Sequence, residues 1–266
     1  MFNGRNCRRY TSVTKMKRIL SALLLLLSFT ATYAAKTTAR SELGEPDLDA
    51  IARESVDPNS KFYYPKLHKA FMANDTTMTN EEFQYFYYGT MFQEDYDPYR
   101  EAPNQELLQE LMPIYAKDKR TRADREKMLA YAMQVIDDNP VDLRQLTNRI
   151  YVYEQNKKYD LAKIWQFKLN RLLLVIAASG TGADPQSAYV VVYPQHEYEF
   201  INLSGLTATS QRFEAPCYDY IQVNKANANT PDGYYFNIAE MLKQYFAKHP
   251  TELEDEEVSD AEATED

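Results

Sequence analysis

Residues 143–193 read LRQLTNRIYVYEQNKKYDLAKIWQFKLNRLLLVIAASGTGADPQSAYVVVY, and a change of hydrophobic period inside this stretch decides the fold class. Leu143, Leu146, Ile150 and Tyr153 recur at the spacing that lines one face of a helix. A second helix is expected from Tyr159 to Ala178, with Ala162, Trp165, Leu169, Leu172 and Ile176 as its stripe. Leu161, Ile164, Leu173 and Val175 fall outside that stripe, so this helix should be the most buried of all. Residues 179–186, SGTGADPQ, then form a turn-rich link, and residues 187–193, SAYVVVY, are β-branched and aromatic, which is strand composition.

Towards the N-terminus the helical pattern holds. Leu107, Leu111 and Ile114 share a face, as do Leu129, Ala132 and Ile136. Pro65 can open a helix that turns Leu67, Ala70 and Phe71 inward. Residues 79–82, Thr-Asn-Glu-Glu, have the capping-box pattern, in which the hydroxyl accepts from the third helical N–H while the glutamate reaches back. The helix that follows places Phe83, Phe86, Tyr87 and Thr90 on one face, and Asp97-Pro98 closes the segment. A short first helix is expected within residues 46–54.

Towards the C-terminus the expectation is β-structure. Residues 197–203 (EYEFINL), 211–215, 218–223 (YDYIQV) and 234–238 read as strands. Runs this close together join most simply as an antiparallel meander. Residues 238–248 return to helix and can cover one face of that sheet. The sequence therefore reads as α+β: helical hairpins over 35–178, then an antiparallel meander with a closing helix over 179–249. Residues 250–266 are an acidic tail, and nine of the last sixteen residues are Asp or Glu, too polar to offset the entropy of ordering.

Residues 16–35, MKRILSALLLLLSFTATYAA, have the layout of a secretory signal: Lys17 and Arg18, a short apolar run with Leu23–Leu27, then small residues at the cleavage positions. Export is expected, to the periplasm or medium, with cleavage after about Ala34. The run is short for a permanent span, so no stable membrane anchor is expected. Met16 is the better initiator, and residues 1–15 read as an upstream extension.

Charge and cysteine use exclude some classes. The residues before Ala35 carry six basic groups and no acidic one, which leaves 24 Lys+Arg against 39 Asp+Glu afterwards, a formal net charge of −15. A nucleic-acid binder needs the opposite sign on one face, so none is expected as partner. With Cys7 removed, Cys217 stands alone, and no intramolecular disulfide can form.

Motifs that carry chemistry are sparse. Cys217, His196 and Asp219 have the residue types of a thiol nucleophile, its base and an orienting carboxylate, but no spacing enforces their meeting. On a strand, His196 and Tyr198 would share one face and Glu197 and Glu199 the other, so these side chains would not converge on a metal. Residues 179–182, Ser-Gly-Thr-Gly, precede strand-like sequence, whereas phosphate-binding loops follow a strand and open a helix, so no nucleotide cofactor is expected. The aromatic segment between Tyr63 and Tyr99 is the remaining candidate: if Tyr85, Tyr88 and Phe92 formed an exposed face, it would suit a peptide, an envelope protein or a glycan.

Two resemblances can be read from these residues. Unit phases beginning at Gln109 and Leu143 place Met128, Ala132, Pro140, Tyr153 and Ala162 much as tetratricopeptide helix pairs do. More specifically, Phe62-Tyr63-Tyr64-Pro65, the Asp75–Glu82 run, Tyr87-Tyr88-Gly89, Tyr96-Asp97-Pro98-Tyr99, Ala188-Tyr189-Val190, Glu197-Tyr198 and Tyr235–Ile238 resemble an uncharacterised family of exported bacterial proteins, the domain of unknown function 4919 family, over about residues 45–247. That resemblance implies no activity and no site residues. The expected function is a non-catalytic exported binding or scaffold protein. The alternatives are a periplasmic enzyme built on Cys217, His196 and Asp219, or a glycan or peptide binder using the aromatic face around Tyr85–Phe92.

Overall fold

Most helices begin where a short polar side chain can accept a backbone N–H. The computed structural model describes residues 43–250, apart from 102, 228 and 229. Asp47 caps α1 (Leu48–Val56), and Pro65 sits in the first turn of α2 (Tyr64–Met72). Thr79 opens α3 (Asn80–Gly89) with both arms of the capping box formed: Glu82 N–H donates to Thr79 Oγ1 at 3.1 Å, and Thr79 N–H donates to Glu82 Oε2 at 2.7 Å. Asn104 caps α4 (Gln105–Tyr115), Thr121 caps α5 (Arg122–Asp138) and Asp142 caps α6 (Leu143–Gln155), while α7 (Tyr159–Ala178) has no side-chain cap.

The period change at residue 179 is real, but it does not lead to an uninterrupted run of strands. A 3-10 turn at Pro185–Ser187 is followed by a two-residue strand, β1 (Tyr189–Val190). Next comes α8 (Pro194–Leu203), where a strand was expected over 197–203. Pro194 fits the first helical turn, and His196/Phe200 and Glu197/Ile201 sit four apart, all buried. The apparent alternation of Tyr198 and Phe200 was outweighed by these helical pairs.

The sheet follows with β2 (Ala208–Glu214), β3 (Tyr218–Val223) and β4 (Gly233–Asn237), before α9 (Ala239–Lys248). Its order is β1-β4-β3-β2. The β2/β3 and β3/β4 ladders are antiparallel, but β1 pairs with β4 in parallel, Tyr189 opposite Phe236. The antiparallel expectation is thus corrected to a mixed sheet: with α8, β2 and β3 between them, β1 and β4 meet in the same direction. The α+β class itself is the one observed. On β3 the expected alternation holds, with Asp219, Ile221 and Val223 buried.

One core runs through both halves of the chain, from Ile51 and Phe86 through Trp165 and Leu172 to Val192, Ile221 and Met241. Each such side chain contributes about 1.5–3 kcal/mol of hydrophobic burial. A smaller cluster, with Leu111, Met128, Tyr131 and Val135 at its centre, joins α4, α5 and α6. The link at 179–186 is sealed rather than free: Thr181 and Gly182 N–H both donate to Ser187 O, and Tyr235 N–H donates to Gly182 O at 2.9 Å. Gly182 has φ +68°, and a Cβ there would lie 2.6 Å from the Tyr189 ring, so only glycine fits.

Among the described residues, no helix is long and apolar enough to cross a membrane. The signal-like run 16–35 and the acidic residues 251–266 lie outside the described residues.

Candidate functional site

Two helix ends and the faces of neighbouring helices border one concavity. Asp97-Pro98 turns the chain after α3, and Asn139-Pro140 stops α5. Between these ends lies a cavity of about 450 Å³. Its apolar side comes from Leu108 and Met112 of α4 with Val135 of α5, and its polar side from Gln145 and Asn148 of α6. A second cavity of about 300 Å³ lies between Tyr64 and His68 of α2, Asp95 of the 93–101 loop and Asp137 of α5. Arg100, Asp138, Asn139 and Tyr193 border both, so the two are lobes of one cleft.

The shared wall is held by ion pairing and backbone restriction. Arg100 Nη2 lies 2.9 Å from Asp138 Oδ2 across the junction. Tyr193 is the residue before Pro194, which confines it to extended backbone (φ −146°, ψ 144°) at the start of α8. Its ring packs beside Tyr96 and His196, at centroid distances of 5.4 and 5.2 Å. Tyr193 is only 5% exposed, burial raises its hydroxyl's pKa, and that hydroxyl makes no hydrogen bond among the described residues. Tyr131, which lines the larger lobe, is 1% exposed, and its hydroxyl likewise has no partner among the described residues. Neither hydroxyl oxygen is sealed from solvent, so each opens onto the cavity that its residue borders.

The electrostatics of the cleft are one-sided. Arg144 is bound 2.6 Å away by Glu199. Burial pushes Asp142 up to about 6, opposed by the Gln145 N–H that its carboxylate accepts at 2.8 Å. Burial pushes Tyr64 up to about 12 and holds His68 below its usual range, so the imidazole is neutral near pH 7. The charge of Asp95 acts on both groups, and that of Asp137 on His68.

Behind this cleft, the inner face of α8 carries a buried polar group of a different kind. Tyr87 Oη lies 2.8 Å from His196 Nδ1, and burial lowers His196 to about 3, with the Val141 backbone pulling the other way. Glu197 is fully buried, neither carboxyl oxygen has a hydrogen-bond partner, and burial with the neighbouring Asp219 charge raises it to about 9. Such a carboxyl is protonated at neutral pH.

Of the residues singled out in the sequence, Tyr88 is wholly buried and donates to Val190 O at 3.2 Å, so it presents no outer face. Tyr85 is partly buried, stacked on Phe62 at 3.7 Å, and Phe92 is partly buried against the core. The three do not form a common surface. Asp219 is brought to Glu197 rather than to His196 or Cys217. Cys217 is half-buried, and burial raises its pKa, which keeps the thiol protonated. Among the described residues, no three His, Cys, Asp or Glu side chains converge as metal ligands. Sequence reasoning passed over Tyr193, Arg100 and Asp138: Tyr193 read only as the end of a strand, and Asp97-Pro98 and Pro140 only as the close of a segment or repeat unit.

A family model described as "Domain of unknown function (DUF4919)" matches residues 49–247. Neither a curated protein nor a solved structure matches the chain.

Proposed function

We propose, from the premise that this chain belongs to the DUF4919 family, that it is a non-catalytic exported binding protein whose ligand occupies the two-lobed cleft. The supporting observation is the junction at Tyr193, a nearly buried residue that borders both lobes and whose hydroxyl has no partner among the described residues. A combined volume of several hundred Å³, an apolar side and a few fixed polar groups are the usual make-up of a small-molecule site. The wall residues offer hydrogen bonds and shape, and neither the Cys217 thiol nor the His196 imidazole borders either lobe. Export rests on the signal-like residues 16–35, and sequencing the N-terminus of protein from the envelope fraction should return Ala35.

A thermal-shift screen of small molecules against the chain and a Met112→Trp variant tests the binding reading. Met112 is 60% exposed at the larger lobe, so the indole can fill it without disturbing the core. Ligands should stabilise the native chain and lose their effect in the variant. A library without hits, or hits that act equally on both proteins, would contradict the proposal.

A further inference from the structure

The charges of the cleft and its unpaired tyrosine hydroxyls narrow the ligand. Six carboxyl groups border the two lobes: Asp95, Asp97, Glu101, Asp137, Asp138 and Asp142. Only two cations do so, and both are already engaged, Arg100 by Asp138 and Arg144 by Glu199. Asp142 feels the charge of Arg144, and the other four, Asp95, Asp97, Glu101 and Asp137, make no ion pair among the described residues. Their field enters the smaller lobe, where Asp95 and Asp137 act on His68.

Resting on the cleft reading, we infer that the ligand is a small organic cation, an ammonium or guanidinium group carried on an apolar stem. The charged head lies in the smaller lobe between Asp95 and Asp137, over the rings of Tyr64 and Tyr193. Aromatic faces and carboxylates attract the same charge, and a hydroxyl oxygen at Tyr193 can accept from an N–H of the head. The stem extends along Leu108, Met112 and Val135 in the larger lobe. An anionic ligand would meet four uncompensated carboxyl groups and no free cation. An inorganic cation would leave the apolar lobe unused, and no convergent ligand set for one is found among the described residues.

The test compares three probes with one stem, 2-phenylethylammonium, 2-phenylethanol and 3-phenylpropionate, by calorimetric titration of the full chain. Calcium chloride alone serves as a fourth probe. The ammonium probe should bind at least about tenfold more tightly than the alcohol, and the carboxylate should not bind. The Asp95→Asn/Asp137→Asn double variant should lose that advantage, its ammonium affinity falling to that for the alcohol; both residues are exposed and neither makes an ion pair or side-chain hydrogen bond among the described residues, so folding is preserved. Equal binding of the three organic probes, tighter binding of the carboxylate or of calcium, or an ammonium affinity unchanged in the double variant would overturn the inference. If screening hits occupy the cleft while the ammonium probe fails to bind, the cleft reading survives and the charge rule does not. If nothing binds the cleft, the reading beneath it has failed.

Discussion

The Tyr87 hydroxyl and Nδ1 of His196 lie 2.8 Å apart, and both side chains are fully buried. The contact ties α3 to the first turn of α8, the turn from which Tyr193 and Gln195 reach the cleft. Tyr87→Phe keeps the ring and removes the partner of the imidazole, so stability should fall by about 1–3 kcal/mol, the penalty of an unpaired buried polar group. Urea unfolding checks this, and an unchanged midpoint would show that the contact contributes nothing.

Glu197 makes stability depend on pH in an unusual direction. Its pKa is raised from 4.5 to about 9 by burial and then by Asp219, so the folded state holds a proton that the unfolded state releases. That contribution is fully present below the unfolded value and is lost as pH rises towards 9. Between pH 5 and 8 the native chain should therefore lose about 2–4 kcal/mol relative to Glu197→Gln, which cannot ionise. Parallel pH profiles of the two proteins would contradict this.

Lys168 has the opposite dependence. It is 2% exposed, donates to Asn74 Oδ1 at 2.7 Å and lies 3.6 Å from the Trp165 ring centroid, with Arg149 on the same ring at 3.7 Å. Burial, then Arg149, lowers its pKa from 10.5 to about 7. The unfolded chain binds more protons between those values, so this residue adds stability as pH rises through the window. Lys168→Met should raise the melting temperature more at pH 6 than at pH 10. An equal shift at both values would place the cost elsewhere.

The wall of the smaller lobe depends on a distant lysine. Lys248 Nζ, at the end of α9, donates to the carbonyl oxygens of Gln93, Glu94 and Tyr96 at 3.2, 2.8 and 2.6 Å. Lys248→Met should speed amide exchange across residues 93–97 and lower stability by about 1–2 kcal/mol. Exchange confined to α9 would mean that the loop holds its position unaided.

The helical half was legible because stripes such as Leu143/Leu146/Ile150 and the Thr79/Glu82 box are local signals, complete within a few turns. The strand at 218–223 was legible for the same reason: Asp219, Ile221 and Val223 alternate with outer residues. Helix α8 was missed because Tyr198 and Phe200 mimic alternation over three residues, and the compensation that favours helix lies in distant partners such as Tyr87. The parallel β1/β4 pairing joins residues 189 and 236, a separation no local pattern encodes. The cleft was illegible because its walls come from five helices and a loop, and the acidic residues that border it look like ordinary solvated positions in a chain of this charge.

The most direct measurement is a map of backbone amide shifts across residues 43–250 on titrating the tightest screening hit. The account predicts perturbations concentrated at Asp137–Asn139, Gln145, Asn148, Tyr193 and Gln195, on both sides of the Arg100–Asp138 pair. Perturbations centred instead on the exposed edge of β2 around Phe213, with the cleft amides unmoved, would contradict it.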